Sequence, residues 1–382
     1  MNIGIVCYAS VGGSGIVATE LAKSLAARGH DVHVLSTDTP FRYSEYQPGL
    51  SFHRVHTPAY PLFREPQYVL SLATSIVHVA RACALDVIHA HYAVPHATAA
   101  YLARQILETT AKDASVPKVV TTLHGTDITL VGSDHSYAET VAFSIARSDG
   151  VTAVSESLRA DTYRALGVKR DIRVIPNFLD CGRYRRIDSP GLRQRYCGEP
   201  GEKLVVHMSN FRPVKRVDAV VDVFARIAEK VPARLLLVGD GPDLGKARDR
   251  AEALGITSRV EVLGEQDQVV PLLSIADLFL LPSLQESFGL AALEAMACRV
   301  PVVASRVGGL GEVIEHGRTG FLHDLNDVDG MAASGVSLLT DPELHASVAE
   351  AGRRTVKQRF CADLIVPRYE AFYAELIGEV RA

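Results

Sequence analysis

The chain has no C-x-x-C pair, no block of like charge and no long uninterrupted hydrophobic run, and each absence removes a class of protein. Its six cysteines, Cys7, Cys83, Cys181, Cys197, Cys298 and Cys361, are widely scattered. A disulfide framework or a zinc site is therefore not expected, and the reducing cytoplasm is the default compartment. Lys plus Arg number 40 against 44 Asp plus Glu, a net charge of −4 with both signs interspersed. Nucleic acid and anionic membrane surfaces are poor partners for such a chain. The longest uncharged stretch, Met1 to Thr19, is broken by Gly12-Gly13-Ser14-Gly15, which suits neither a spanning helix nor a secretory signal. No Gly-Lys-Ser/Thr follows those glycines, so they are not a Walker loop. They also miss the G-x-G-x-x-G spacing, and Leu35-Ser36 stands where an acidic ribose ligand would be, which demotes a nicotinamide oxidoreductase.

What is present is a 382-residue chain, 47% hydrophobic, long enough for two domains with separate cores. Apolar strand candidates at Ile3–Tyr8, Val32–Ser36, Ser51–His56, Asp86–Ala90, Lys118–Leu123, Val151–Val154 and Ile172–Ile175 alternate with helix-length segments near 67–84, 95–107, 136–147 and 156–165. After a polar, turn-rich connector from Pro176 to about Gly201 the pattern restarts. Strands are expected at Lys203–Met208, Arg234–Val238, Arg259–Leu263, Leu278–Leu281, Pro301–Ala304 and Gly320–Leu322, with a helix over 214–230 and others between. The fold class expected is α/β, two Rossmann-like doubly wound domains facing across a cleft. The boundaries expected are 1–176 and 177–361, with a terminal helix over 362–382 packing back on the first domain.

Three segments combine special backbone needs with functional groups. Val11-Gly12-Gly13-Ser14-Gly15 lies between strand and helix, where glycines let amides approach an anion; a tight turn without ligand is the plainer alternative. Ser209-Asn210-Phe211-Arg212-Pro213-Val214-Lys215-Arg216 puts three cations at a strand's end, suited to a diphosphate or simply solvated. In Glu286-Ser287-Phe288-Gly289-Leu290-Ala291-Ala292-Leu293-Glu294 a helix is expected to begin near Phe288, freeing the amides of Phe288, Gly289 and Leu290 for an anion. Glu294 falls in an apolar stretch and needs hydroxyl-type partners, unless both acids merely cap and solvate the helix.

The E-x7-E pair Glu286/Glu294, with Gly239-Asp240-Gly241-Pro242 upstream and Gly308-Gly309-Leu310-Gly311-Glu312 through Gly317-Arg318-Thr319-Gly320 downstream, resembles the retaining nucleotide-sugar glycosyltransferases of GT-B type. Within them, Cys7–Gly15, His89-Ala90-His91-Tyr92-Ala93-Val94-Pro95-His96, Thr122-Leu123-His124-Gly125-Thr126-Asp127 and Ser209–Arg212 closely resemble the N-acetylglucosaminyl-L-malate synthases of bacillithiol biosynthesis. The resemblance covers essentially the whole chain. It implies transfer of GlcNAc from UDP-GlcNAc to the hydroxyl of L-malate with retention.

By the same resemblance Glu294 binds the ribose hydroxyls, and Glu286 meets the donor sugar near its 3-hydroxyl. The amides of Phe288, Gly289 and Leu290 hold the distal phosphate, and Lys215 binds the diphosphate. The family commonly has an Arg at the position of Asn210; Arg212 is the candidate to supply that charge. Gly13 and Ser14 match the glycine turn that approaches the phosphates, and His124 matches the histidine on the sugar's 6-hydroxyl. His89, His91 and His96 carry no matched role, and structural hydrogen bonding is expected of them. A dicarboxylate acceptor calls for cations and hydroxyls in the first half: Arg64, Tyr92 and Thr126, with Arg42 a weaker choice. Catalysis would rest on His124, Glu286 and Lys215, with no metal or other cofactor expected, because the diphosphate leaves as an anion into positive charge. A homodimer is compatible with these features. The rival readings are a same-fold transferase using another anionic acceptor such as inositol phosphate, or a nucleotide-sugar-binding protein without turnover.

Overall fold

The computed structural model describes residues 1–9, 12–43, 46–58, 67–110, 116–129, 134–199 and 201–378. They form two compact units, Met1–Asn177 with Ala362–Ala382, and Phe178–Cys361.

The first unit is built on strands β1 Asn2–Val6, β2 Asp31–Ser36, β3 Leu50–Arg54, β4 Val87–His91, β5 Lys118–Leu123, β6 Gly150–Ala153 and β7 Arg173–Val174. All pair in parallel, in the order β3-β2-β1-β4-β5-β6-β7. Central strands are buried because helices cover both faces, and most of their residues are apolar, with His89 and His91 on β4 and Thr121 and Thr122 on β5 among the buried polar exceptions. One layer joins Val6, Leu35 and Ile88 to Leu72 and Ile76 of helix Tyr68–Cys83 and to Ala99, Ala103 and Leu107 of helix Thr98–Thr110. The last helix, Ala362–Ile377, lies against the start of β6. A Cβ on Gly150 would come within 2.5 Å of the Phe372 ring.

The second unit contains β8 Lys203–Met208, β9 Ala233–Val238, β10 Val260–Gly264, β11 Leu278–Leu281, β12 Val302–Ser305 and β13 Phe321–His323. The order is β10-β9-β8-β11-β12-β13, again all parallel. Helix Val217–Ala228 carries Val217, Val220, Val221, Phe224 and Ile227 at helical spacing, and that stripe buries itself against Val205, Leu235 and Leu278.

Several local expectations change. The helix expected over 214–230 begins as a 3-10 turn, Pro213–Lys215, and turns α-helical only at Val217, because Arg216 adopts a left-handed conformation (φ 47°). The helix expected from 95 begins at Thr98, after a wide turn over Ala93–Ala97 containing a cis Val94–Pro95 bond. The connector is more ordered than its polar composition implies: it holds helix Pro190–Tyr196 and buries Tyr184 completely. The expectation of no disulfide is corrected by Cys181–Cys361, Cα atoms 5.5 Å apart and 180 residues apart in sequence. Spacing gave no hint of it because the chain enters and leaves the second unit at this place, where Leu179 also bridges to Cys361. Among the described residues no helix is long and apolar enough to cross a membrane.

Candidate active site

Strand order reverses between β1 and β4 in the first unit and between β8 and β11 in the second. Ligands of doubly wound sheets bind beyond the carboxyl ends of strands at such points. The loops following these four strands hold most of the residues singled out by their chemistry, while His124 and Thr126 follow the neighbouring β5 and Glu294 lies in the helix after the β11 loop.

In the second unit the loop after β8 and the loop after β11 are tied together. Leu284 N–H donates to Val214 O at 2.7 Å, and Lys215 Nζ lies 2.6 Å from Glu286 Oε1. The same carboxylate oxygen accepts from Ser283 Oγ at 2.8 Å. Glu286 is buried, and a charge there is tolerable because it is paired and hydrogen-bonded. Beneath it runs the Gly308-Gly309 turn, where Gly309 N–H donates to Glu286 O at 2.9 Å. A Cβ on Gly308 would stand 2.0 Å from that carbonyl oxygen, so only glycine permits the approach. A second such approach supports the other loop: a Cβ on Gly239 would lie 1.9 Å from Ser209 O. His207, on β8, is locked between Leu280 O and Ser209 Oγ, and burial lowers its pKa to about 4, so it stays neutral.

Helix Leu290–Ala297 starts two residues later than expected, with Gly289 left-handed (φ 95°) at its N-cap. Phe288 is buried edge-on against Phe360, which anchors the turn. One turn into the helix, Glu294 Oε1 accepts a 2.8 Å hydrogen bond from the Tyr184 hydroxyl. Arg353 holds Tyr184 in turn through its carbonyl oxygen at 2.6 Å and reaches Cys181 O at 2.9 Å. Arg216, third of the three neighbouring cations, is drawn off to Leu325 O and Asn326 Oδ1. The Arg212 side chain is half-buried and makes no hydrogen bond or ion pair among the described residues.

In the first unit helix Gly13–Ala27 begins at an extended Gly12 without a side-chain cap, which leaves its leading amides for another acceptor. The Tyr92 hydroxyl donates to Ser14 Oγ at 2.6 Å and also meets Thr126. Burial pushes the Tyr92 phenol up to about 12. His124 Nε2 lies 2.9 Å from His91 Nδ1 with the rings stacked, and burial lowers the His124 pKa to about 3. His124 is therefore a neutral hydrogen-bonding group at pH 7. Asp127 pins this corner, accepting backbone N–H groups of Ala93, His124 and Gly125, while burial raises its carboxyl to about 6. His89 is held between Thr122 Oγ1 and the Tyr373 hydroxyl, both at 2.7 Å, and His96 between His91 O and Tyr68.

With this geometry in place, the likenesses to known proteins are direct. Residues 192–355 match the model for glycosyl transferases group 1, and residues 11–183 that for glycosyltransferase family 4. The chain is 46% identical over 379 residues to the N-acetyl-alpha-D-glucosaminyl L-malate synthase of Bacillus anthracis, covering 99% of this chain and 98% of that protein. It belongs to that glycosyltransferase family. Its fold is also that of sucrose-phosphate synthase from Thermosynechococcus elongatus (TM-score 0.81, 22% identity, all of both chains). Anabaena HepE in complex with UDP and glucose is similar too (TM-score 0.80, 23% identity, 98% of this chain and 99% of that one). This glycosyltransferase thus has the GT-B architecture of two parallel-sheet Rossmann-like domains.

The structure gathers Lys215, Glu286, Phe288, Gly289, Leu290 and Glu294 around adjoining loops of one unit, and Gly13, Ser14, Tyr92, His124 and Thr126 around adjoining loops of the other. Arg64 lies outside the described residues. Arg42 turns back on Phe41, and its carbonyl accepts from Lys23. The partner of Glu294 found here, Tyr184, was not legible in sequence, since it comes from the connector 110 residues away. Ser283 and Asp127 were likewise missed: Asp127 stands inside a motif that drew notice for other residues, while Ser283 lies between the expected strand Leu278–Leu281 and the segment that begins at Glu286.

Proposed function

We propose that this glycosyltransferase moves GlcNAc from UDP-GlcNAc to the hydroxyl of L-malate, giving N-acetyl-alpha-D-glucosaminyl L-malate and UDP, with retention, as the first step of bacillithiol biosynthesis in the cytoplasm. The observation that carries the reading is the Lys215–Glu286 pair at the ends of β8 and β11, in a chain alike over its whole length to a synthase of that name. The solved structure of HepE with UDP-glucose supports a uridine diphosphate donor.

In this reading Glu294 takes the ribose hydroxyls, Glu286 the donor sugar near its 3-hydroxyl, and His124 the 6-hydroxyl. The bond from the anomeric carbon to the β-phosphate oxygen breaks, and its electron pair leaves with UDP. Lys215, Arg212 and the amides of Phe288, Gly289 and Leu290 stabilise that charge without a metal, joined by Gly13 and Ser14. The malate hydroxyl attacks the same face, and its proton passes to a departing phosphate oxygen. Arg64, Tyr92 and Thr126 hold the two acceptor carboxylates.

Mixing UDP-GlcNAc with L-malate, inositol phosphate or no acceptor, and reading UDP release with product mass and anomeric configuration, tests the proposal. A malate-dependent α-glycoside is the expected result. UDP release only with inositol phosphate would move the acceptor class, and no release with any acceptor would favour a binding protein.

A further inference from the structure

At the outer edge of the first unit three potential metal ligands converge from three elements. His33 lies on β2, His53 on the edge strand β3, and Cys83 ends helix Tyr68–Cys83, which covers that face. His33 pairs in register with Ser51, so His53, two residues on, shares its face as a diagonal neighbour. His33 Nδ1 and His53 Nε2 stand 3.0 Å apart, and one ring nitrogen of each histidine lies with the Cys83 thiol in a group whose atoms are within 4.8 Å of one another. His33 is buried, while His53 and Cys83 are half-buried, leaving a way in from solvent.

We infer that His33, His53 and Cys83 form a binding site for a zinc-type divalent cation, with water as fourth ligand. Tetrahedral zinc with ordinary bond lengths places its nitrogen and sulfur ligands about 3.3–3.6 Å apart, so a small closure of the thiol completes the set. The far nitrogen supports the assignment. His33 Nε2 is buried with no hydrogen-bond partner among the described residues, and Asp31 Oδ2 lies 3.5 Å from it. Metal on Nδ1 requires the proton on Nε2, facing that carboxylate, which is the usual second support of a metal-bound histidine. Without metal, the two facing nitrogens must share one proton; on binding that proton moves to a far ring nitrogen, and the thiol releases one to solvent. Cysteine spacing could not show such a site, because the ligands are separated by 20 and 30 residues in different elements.

The test uses the full chain stripped with chelator and titrated with zinc and, separately, cobalt(II). One zinc per chain is expected, with a tetrahedral cobalt spectrum that includes a thiolate-to-cobalt charge-transfer band. At zinc a hundredfold above Kd the thermal midpoint should rise by roughly 5–10 °C. Cys83→Ser should abolish the charge-transfer band, Asp31→Asn should weaken binding about 10–100-fold, and Cys197→Ser should leave both unchanged. A cobalt spectrum without a thiolate band in the parent chain, or a band that persists in Cys83→Ser, overturns the inference. So does the absence of zinc binding at micromolar concentration. The parent-chain spectrum decides the matter even where a variant folds poorly, and none of these readouts depends on the transferase reading.

Discussion

The hydroxyl of Tyr184 donates a 2.8 Å hydrogen bond to the buried carboxylate of Glu294, joining the connector to the helix that follows β11. A hydrogen bond to a charged group contributes about 1.5–3 kcal/mol, and its loss leaves a buried carboxylate under-satisfied. Tyr184→Phe should therefore raise the KM for UDP-GlcNAc by roughly ten- to hundredfold through misplacement of Glu294, with kcat much less affected. Steady-state kinetics on a variant with parental circular dichroism checks this; an unchanged donor KM would remove Glu294 from donor binding.

Lys215 should show the opposite split. Its ammonium, 2.6 Å from Glu286 Oε1, is assigned to charge that grows as the diphosphate leaves. Lys215→Ala should lower kcat by about 10²–10³ with a smaller change in KM. Lys215→Arg should not recover the rate, since a planar fork replaces a compact charge. A rate within threefold of the parent in single-turnover measurements would reject the role.

Gly308 tests the support beneath Glu286. An added Cβ, 2.0 Å from the Glu286 carbonyl oxygen, at φ 49°, must displace one loop from the other. Gly308→Ala should lose about 2 kcal/mol or more of stability and most of the activity. Gly311→Ala, where nothing lies within 4 Å, is the matched control and should be nearly silent. Urea unfolding of the two variants, run side by side, makes the comparison.

Acid should unfold the first unit by proton uptake. Burial lowers the pKa values of His89 and His124 to about 3 and of His96 to about 4, and pushes His91 well down. These groups bind protons in the unfolded chain near pH 6.5 but not in the folded one. The stability they contribute is complete above about pH 6.5 and is lost as pH falls toward their folded values. Asp127 acts in the opposite sense: with its folded carboxyl raised to about 6, its contribution falls as pH rises from about 4 to 6. The four histidines outweigh the one carboxyl, so stability (the free energy of unfolding) should drop steeply as pH falls from 6.5 to 4.5, with uptake of about three protons on unfolding. Denaturant titrations at stepped pH measure the slope, and a flat profile over that range would contradict the burial of these imidazoles.

Much of this molecule was legible in its order of residues. Apolar runs such as Ile3–Val6 and Leu278–Leu281, separated by helix-length segments, determine parallel sheets covered on both faces, because only burial on both sides accommodates strands without a polar face. The glycine turns and the Glu286/Glu294 spacing mark where ligand-facing loops must be, since positive φ and close backbone approach demand glycine locally. Tertiary structure alone decided which distant groups complete those loops. Tyr184 against Glu294, Cys181 against Cys361, and His33 beside His53 and Cys83 are all long-range pairings. Each is set by where strands and crossovers bring the chain back together, and no local propensity or periodicity encodes that distance.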